Sequence, residues 1–357
     1  MCSSALWLGA LSHFAAQCYN ASMMHSQTDA HAMKLLDLPL MLRLKQNAIV
    51  LHSELGLTED ARGRSSALLS SIVFPRGLHT LLAQRDEQNV VGQFRYRQGE
   101  LNAHIVYLAP TLEEHEDDSI WLHMLDGMAA QAGKTGAQSL VGEVELSHRL
   151  FETMRRAGYA VYSRQVIWRC GPLGAQPAPA GISIHAETQD DQIAVSALLG
   201  STIPRIMQAI LGPSADMAGL VYRRDGKVDA YIAYSEGKHG VYVLPFVHPE
   251  VLDQAPDIIA AAWQQIERSR KLPVYVCVRG YQGWLENAMR DLDFDPWLEQ
   301  AVMVKHLAAG VRQASFEQVG LSAAGGRKPA ATLRIGSETK MLATPCRQIG
   351  GKVPLNG

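Results

Sequence analysis

The chain is short of the features that usually announce a partner. Its five cysteines (Cys2, Cys18, Cys170, Cys277 and Cys346) are odd in number and form no CxxC pair, which leaves neither a disulfide framework nor a zinc site to expect. Lys and Arg total 33 against 35 Asp and Glu, a formal charge of −2 with a pI near 6.7. That balance gives no basic face for phosphates and argues against nucleic acid. The apolar opening stretch, Ala5 to Ala16, has no Lys or Arg before it and at about 12 residues is too short to span a bilayer. Gln17 before Cys18 does not fit a lipoprotein cleavage box. These absences exclude a membrane role and point to the reducing cytosol, with Cys277 in Val274-Tyr-Val-Cys-Val278 as a small core residue.

What is present is a repeat. Tyr107 and Pro110 recur as Tyr242 and Pro245, and Leu150, Met154, Arg155, Tyr159 and Gln165 recur as Leu285, Met289, Arg290, Phe294 and Gln300, all displaced by 135 positions. The unit is too long for a solenoid, whose periods run roughly 20 to 50 residues, and suits a whole small domain. With 357 residues and 47% hydrophobic content, the chain has material for two cores.

Element by element, residues 1–32 read as an extension without periodic structure. Helical spacing follows from Asp37, with a second helix around Arg64–Val73. Alternation then predicts strands at Thr80–Gln84, Val90–Tyr96 and Leu101–Leu108, a meander stopped by Pro110. A helix capped by Ser119, a strand at Ser139–Val144, a helix from Leu150 ended by Gly158 and a strand at Ser163–Arg169 complete the first unit. Gly171 to Gly181 is a Pro/Gly/Ala linker, after which the order repeats, with a hairpin across Arg224-Asp-Gly-Lys227, a strand over 239–244 ended by Pro245 and a last strand over 299–306. From about Ala308 seven Lys and Arg stand against two Glu without apolar periodicity, the composition of a disordered basic tail. The domains expected are therefore 33–170 and 182–307, both α+β with a mostly antiparallel mixed sheet flanked by helices.

This order, with a strand ending Val106-Tyr-Leu-Ala-Pro110 and a Phe151-Glu-Thr-Met-Arg-Arg-Ala-Gly-Tyr159 helix running into Arg164-Gln-Val-Ile-Trp168, resembles the GNAT-type N-acetyltransferase superfamily, twice over. The Gly-aromatic helix end is similar to that family's terminal signature, with Asp293-Phe294 as a weaker copy. The resemblance implies transfer of an acyl group from acetyl-CoA or another acyl-CoA to the amine of a small molecule or protein, with no metal. It also implies that the fourth strand splays from the fifth, so that Val106, Tyr107 and Leu108 in one half, and Tyr242, Val243 and Leu244 in the other, bond the pantetheine arm.

The family's (R/Q)xxGx(G/A) pyrophosphate loop is missing from both halves. In its place stand Thr111 to Asp118, with five carboxylates and no glycine, and Phe246 to Ala255, also without glycine. Carboxylates at a helix N-terminus occupy the place of the phosphates and repel them. The less anionic second half is therefore the better candidate for acyl transfer. At the position of the family's acid tyrosine stand Met154 and Met289, which donate no proton. Tyr281, Tyr242 and Tyr159 are the available phenols, and His248 and Glu250, just past the second fourth strand, are the candidate bases, with Tyr281 the candidate acid. His104 and His239 share a repeat position, and a structural role is the plainer reading of both. Gly127 to Thr135 mimics a phosphate loop with five residues between its glycines in place of four, and Arg279-Gly-Tyr-Gln-Gly283 reads as a tight strand-to-helix connection. The competing function is a non-catalytic GNAT-like protein that binds a small molecule or protein in the cleft between the repeats.

Overall fold

A computed structural model describes residues 30–58, 77–85, 87–172 and 181–307, all within one compact unit, Met1–Val311. The first copy runs β1 (His31–Ala32), α1 (Leu38–Leu44), β2 (Ile49–Val50), α2 (Ser53–Thr58), β3 (Leu78–Arg85), β4 (Gln88–Arg95), β5 (Asn102–Ala109), α3 (Ser119–Thr135), β6 (Ser139–Glu145), α4 (Leu150–Arg156) and β7 (Ala160–Cys170). The second runs β8 (Ile184–Ala186), α5 (Gln192–Thr202), α6 (Gln208–Leu211), β9 (Ala218–Arg224), β10 (Lys227–Glu236), β11 (Val241–Val247), α7 (Ala255–Gln265), β12 (Val274–Arg279), α8 (Leu285–Asp291) and β13 (Asp295–His306). The helix expected around 64–73, most of the linker and the basic tail lie outside the described residues. Among those described, no helix is long and apolar enough to cross a membrane.

The 13 strands form one mixed sheet in the order β1-β3-β4-β5-β6-β13-β7-β12-β11-β10-β9-β8, with β2 added against β5. Each copy is a meander followed by a crossover to a parallel strand, β5 beside β6 and β11 beside β12. The final strands are exchanged: β13 lies between β6 and β7, and β7 between β13 and β12. Ala301 and Met303 of β13 accordingly enter the first copy's core under α3 and α4, while Trp168 of β7 enters the second core under α7 and α8. On the β7–β13 ladder Gln165 pairs with Gln300, so the pseudo-twofold axis relating the copies passes between two residues that are equivalent in sequence.

Local chemistry explains the elements. In α3 the buried Ile120, Trp121, Met124, Leu125, Met128 and Ala132 recur at helical spacing, and Gly136, with φ 106°, ends the helix in the left-handed region. The helix contains Gly127 to Thr135, so that phosphate-loop mimic is a helical segment. Asp225 (φ 53°) and Gly226 (φ 81°) make the tight hairpin between β9 and β10. Met154 and Met289 are fully buried core residues.

Four expectations need correction. His31 and Ala32 are not part of an unstructured extension but pair with Leu82 and Leu81. Ser119 is the first helical residue and not the cap; its hydroxyl donates to Asp117 at 2.7 Å. Pro245 does not end its strand: it sits opposite Ile232 inside β11, which continues to Val247, because its missing N–H falls on the side away from β10. Finally, the 135-residue offset holds from the last helix onward but not in the fourth strands. The parallel ladders match Ala103 with Leu140 and Val241 with Val274, all core-facing, which makes Tyr242 the counterpart of His104 and not of Tyr107.

Because each core borrows a strand from the other copy, the two halves cannot melt separately. Calorimetry is expected to show a single transition with equal calorimetric and van't Hoff enthalpies; two resolved transitions would contradict the exchange.

Candidate active site

The two splayed strand pairs come first. In the first half β5 and β6 pair only from Asn102–Ser139 to His104–Val141. A bulge then sets in, Phe94 pairing with Ile105 and Gln93 with Tyr107, which leaves Val106 as the extra residue and turns β5 away. The opening is filled by the chain itself. Ile49 and Val50 pair with Leu108 and Tyr107, the Leu51 N–H donates to the Val106 carbonyl at 2.9 Å, and the Glu143 N–H donates to the Leu51 carbonyl at 2.8 Å. The edge of Val106, Tyr107 and Leu108, the expected seat of a pantetheine arm, is thus engaged by main chain.

In the second half β11 and β12 pair from Val241–Val274 to Val243–Val276 and then part without a bulge. Pro245 offers only its carbonyl, which accepts from Gln282 Nε2 at 2.9 Å. Gln282 Oε1 is buried with no hydrogen-bond partner among the described residues. Among the described residues this opening is bridged by a side chain and not by a strand.

Between the halves, on the sheet face opposite α3 and α7, lies a cavity of about 360 Å³. Its polar walls are His52, Glu54, Arg95, His104, Glu143 and Arg279, joined by Tyr242 and Leu244 from β11. The segment that follows α5 closes it: the Asn102 amide donates to the Ala209 carbonyl at 2.6 Å, and Asp216 is ion-paired with Arg95 and Arg97. The floor is a polar seam on the pseudo-twofold axis. Gln300 Oε1 accepts from Gln165 Nε2 and from the Ser53 hydroxyl, both at 2.9 Å, and Arg279 donates to Gln165 Oε1.

Equivalent positions of the two copies carry complementary chemistry. The ladders Glu145–Gln300 and Arg279–Gln165 make Arg279 the counterpart of Glu145, and hence Cys277 that of Glu143. The first copy therefore supplies His104 and Glu143, and the second Tyr242 and Cys277, which are hydrogen-bonded to each other. Burial lowers the His104 pKa to about 3, helped by His52, Arg95 and Arg279. Burial likewise lowers that of His52 against the pull of Glu143 and Glu54; the two rings lie 5.3 Å apart. Both imidazoles are neutral at pH 7. Burial raises the Glu143 carboxyl, but Arg279 at 3.8 Å, His52 and the Ser53 N–H at 2.7 Å outweigh it and hold the group below its ordinary range. Burial, with Cys277 and Glu143, pushes the Tyr242 hydroxyl well above its ordinary pKa, so it stays protonated.

The residues singled out in the sequence are divided. Tyr242, Leu244 and His104 line the cavity. His248 and Glu250 stand together past the end of β11, 3.8 Å apart, with Glu250 also paired to Lys227 at 3.3 Å and Arg224 at 3.6 Å. With Asp229 they form a group of three donor atoms within 4.8 Å of one another, and Asp229 is paired to Arg224 at 2.9 Å. Tyr281 follows β12, and its buried hydroxyl has no hydrogen-bond partner among the described residues. His239 is exposed, its N–H donating to the Thr58 carbonyl at 3.1 Å. His52, Glu54, Glu143 and Arg279 were missed. The available signal was polarity inside apolar alternation, at Glu143 and Arg279.

No protein-family model matches the chain, and no curated protein matches its sequence. Solved structures do match. A GCN5-related N-acetyltransferase from Sphaerobacter thermophilus aligns over 79% of this chain and 97% of its own at a TM-score of 0.50 and 13% identity. A tandem GNAT protein from the clavulanic acid biosynthesis pathway aligns over 78% of this chain and 97% of its own at a TM-score of 0.48 and 14% identity. A GCN5-related N-acetyltransferase from Kribbella flavida covers 60% and 86% at a TM-score of 0.44 and 17% identity. The fold is that of the GNAT N-acetyltransferases, here built twice in one α+β chain.

The buried histidines set a pH dependence. With the folded His104 pKa near 3 and an unfolded value of about 6.5, the unfolded chain binds the extra proton between these limits. Stability is therefore expected to fall as pH drops from about 6.5 toward 3, by up to about 1.4 kcal/mol per pH unit for each proton. Urea unfolding of His104→Asn should show a shallower slope than the wild type; identical slopes would contradict the burial of a neutral His104.

Proposed function

We propose that the protein transfers an acyl group from acyl-CoA to an amine, with the thioester held at the second opening and the amine in the cavity between the halves. The observation that carries this reading is the contrast between the openings. Main chain fills the first, whereas among the described residues the second is bridged by the Gln282 side chain, whose Oε1, unpartnered among them, is an acceptor for an amide N–H of the pantetheine arm. The cavity reaches that opening, since Tyr242 and Leu244 line it on either side of Val243, the last residue of β11 paired with β12.

The chemistry assigns roles to side chains already in place. The amine nitrogen attacks the thioester carbonyl, the C–S bond breaks as the carbonyl re-forms, the nitrogen gives up a proton and the thiolate gains one. Neutral His104 accepts a hydrogen bond from the attacking amine, and the carboxylates of Glu54 and Glu143 draw the proton away. Tyr242, held protonated by burial, is the acid for the thiolate. The free thiols Cys170 and Cys277 fit a reducing cytosol.

A second reading, a GNAT-fold protein that binds a small molecule or protein in the same cleft without transfer, is favoured by one observation: Pro245 removes a backbone donor from the edge that would hold the pantetheine.

Calorimetric titration with acetyl-CoA and longer acyl-CoAs separates the two, heat being expected for at least one chain length and its absence at every length selecting the second reading. For transfer, Tyr242→Phe is expected to lower kcat about 100-fold with little change in the KM of the amine. Glu250→Gln locates the base: unchanged turnover assigns it to the cavity, and lost turnover assigns it to the His248–Glu250 pair beyond β11.

A further inference from the structure

The cavity holds a carboxylate that has no ion pair among the described residues. Glu54 is 7% exposed and lines the cavity, and its Oε2 accepts a hydrogen bond from the Ser214 hydroxyl at 3.1 Å. Among the described residues it has no ion pair. The neighbouring charges are matched: Arg95 and Arg97 share Asp216, Glu100 lies 4.0 Å from Arg97, and Arg279 faces Glu143 at 3.8 Å. Four carboxylates (Glu54, Glu100, Glu143, Asp216) thus stand against three guanidinium groups (Arg95, Arg97, Arg279), with both imidazoles uncharged. Arg97 attracts Glu54 from a distance but is already bonded to Asp216; a carboxylate withdrawn from water without an ion pair of its own is costly, and a cation in the cavity lowers that cost.

We propose that the cavity selects a small primary amine bearing a single positive charge, its ammonium group donating to Glu54 with His104 beside it. This names the acceptor class and rests on the reading of the cavity as the acceptor site. Each alternative charge pattern meets an obstacle. A zwitterionic amino acid would bring a carboxylate toward Glu54 and Glu143, while Arg279 is already bonded to Gln165 and paired with Glu143. A polyamine would set further cations against Arg95 and Arg279 within about 360 Å³. A single ammonium leaves the site neutral.

The test is calorimetric titration of the full chain, without acyl-CoA, using ethanolamine, glycine and spermidine as probes. Ethanolamine is expected to bind at least tenfold more tightly than glycine or spermidine, and Glu54→Gln, which keeps the shape and the Ser214 contact, to weaken ethanolamine at least tenfold. Equal affinity for glycine, unchanged ethanolamine binding in Glu54→Gln, or no heat from any amine overturns the proposal. Should Glu54→Gln fail to fold by circular dichroism, the ranking of the three probes on the wild type decides alone. Failure of acyl-CoA binding appears in the separate acyl-CoA titration and leaves amine binding untouched.

Discussion

The hydrogen bond between Gln165 and Gln300 is the contact on which the architecture turns. Two residues equivalent in sequence meet across an antiparallel ladder, which places that ladder on the pseudo-twofold axis, and the exchange of the last strands puts the axis between the two cores. Everything near the axis inherits a polar requirement, because two buried amides need partners on both sides. Ser53 and Arg279 meet that need, and Arg279 in turn brings Glu143. The polar seam under the cavity is thus a consequence of where the copies join, and the chemistry of the site is built on it.

The fates of the two openings are also linked to the cavity. Once Ile49, Val50 and Leu51 occupy the first opening, the residues that follow are delivered to the site at the start of α2, His52 and Glu54 to the cavity wall and Ser53 to the seam beneath it. The first half closes its own edge with the segment that furnishes the shared site. The second half keeps an edge that, among the described residues, Gln282 covers, and α6 and the segment after it provide the roof. Both copies therefore share the floor, while the first gives the acidic wall and the second gives the phenol and the opening.

Much of the architecture was legible in the sequence. Alternation located nearly every strand, helical spacing located α3 and α4, and Gly158 and Asp225-Gly226 marked their turns as the physics of positive φ requires. The order of elements carried the GNAT resemblance. Partner choice was not legible, because period-two alternation says that a strand is half-buried and not which strand lies beside it; the exchange of β7 and β13 and the insertion of β2 were invisible for that reason. Pro245 misled for a related cause, since a proline stops a strand only where its N–H is needed. The cavity was the least legible part. His52, His104, Glu143, Tyr242 and Arg279 are scattered along the chain, and only the sheet order brings them together.

The complementary pairs across the axis, His104 with Tyr242 and Glu143 with Cys277, have a consequence for what such a cleft can recognise. In a dimer of identical subunits a pocket on the twofold carries every group in duplicate, and a molecule lying there meets the same surroundings at both ends. Duplication within one chain lifts that degeneracy. Each wall can be tuned by its own substitution, so the pocket has a distinguishable head and tail and can hold a lopsided guest in one orientation.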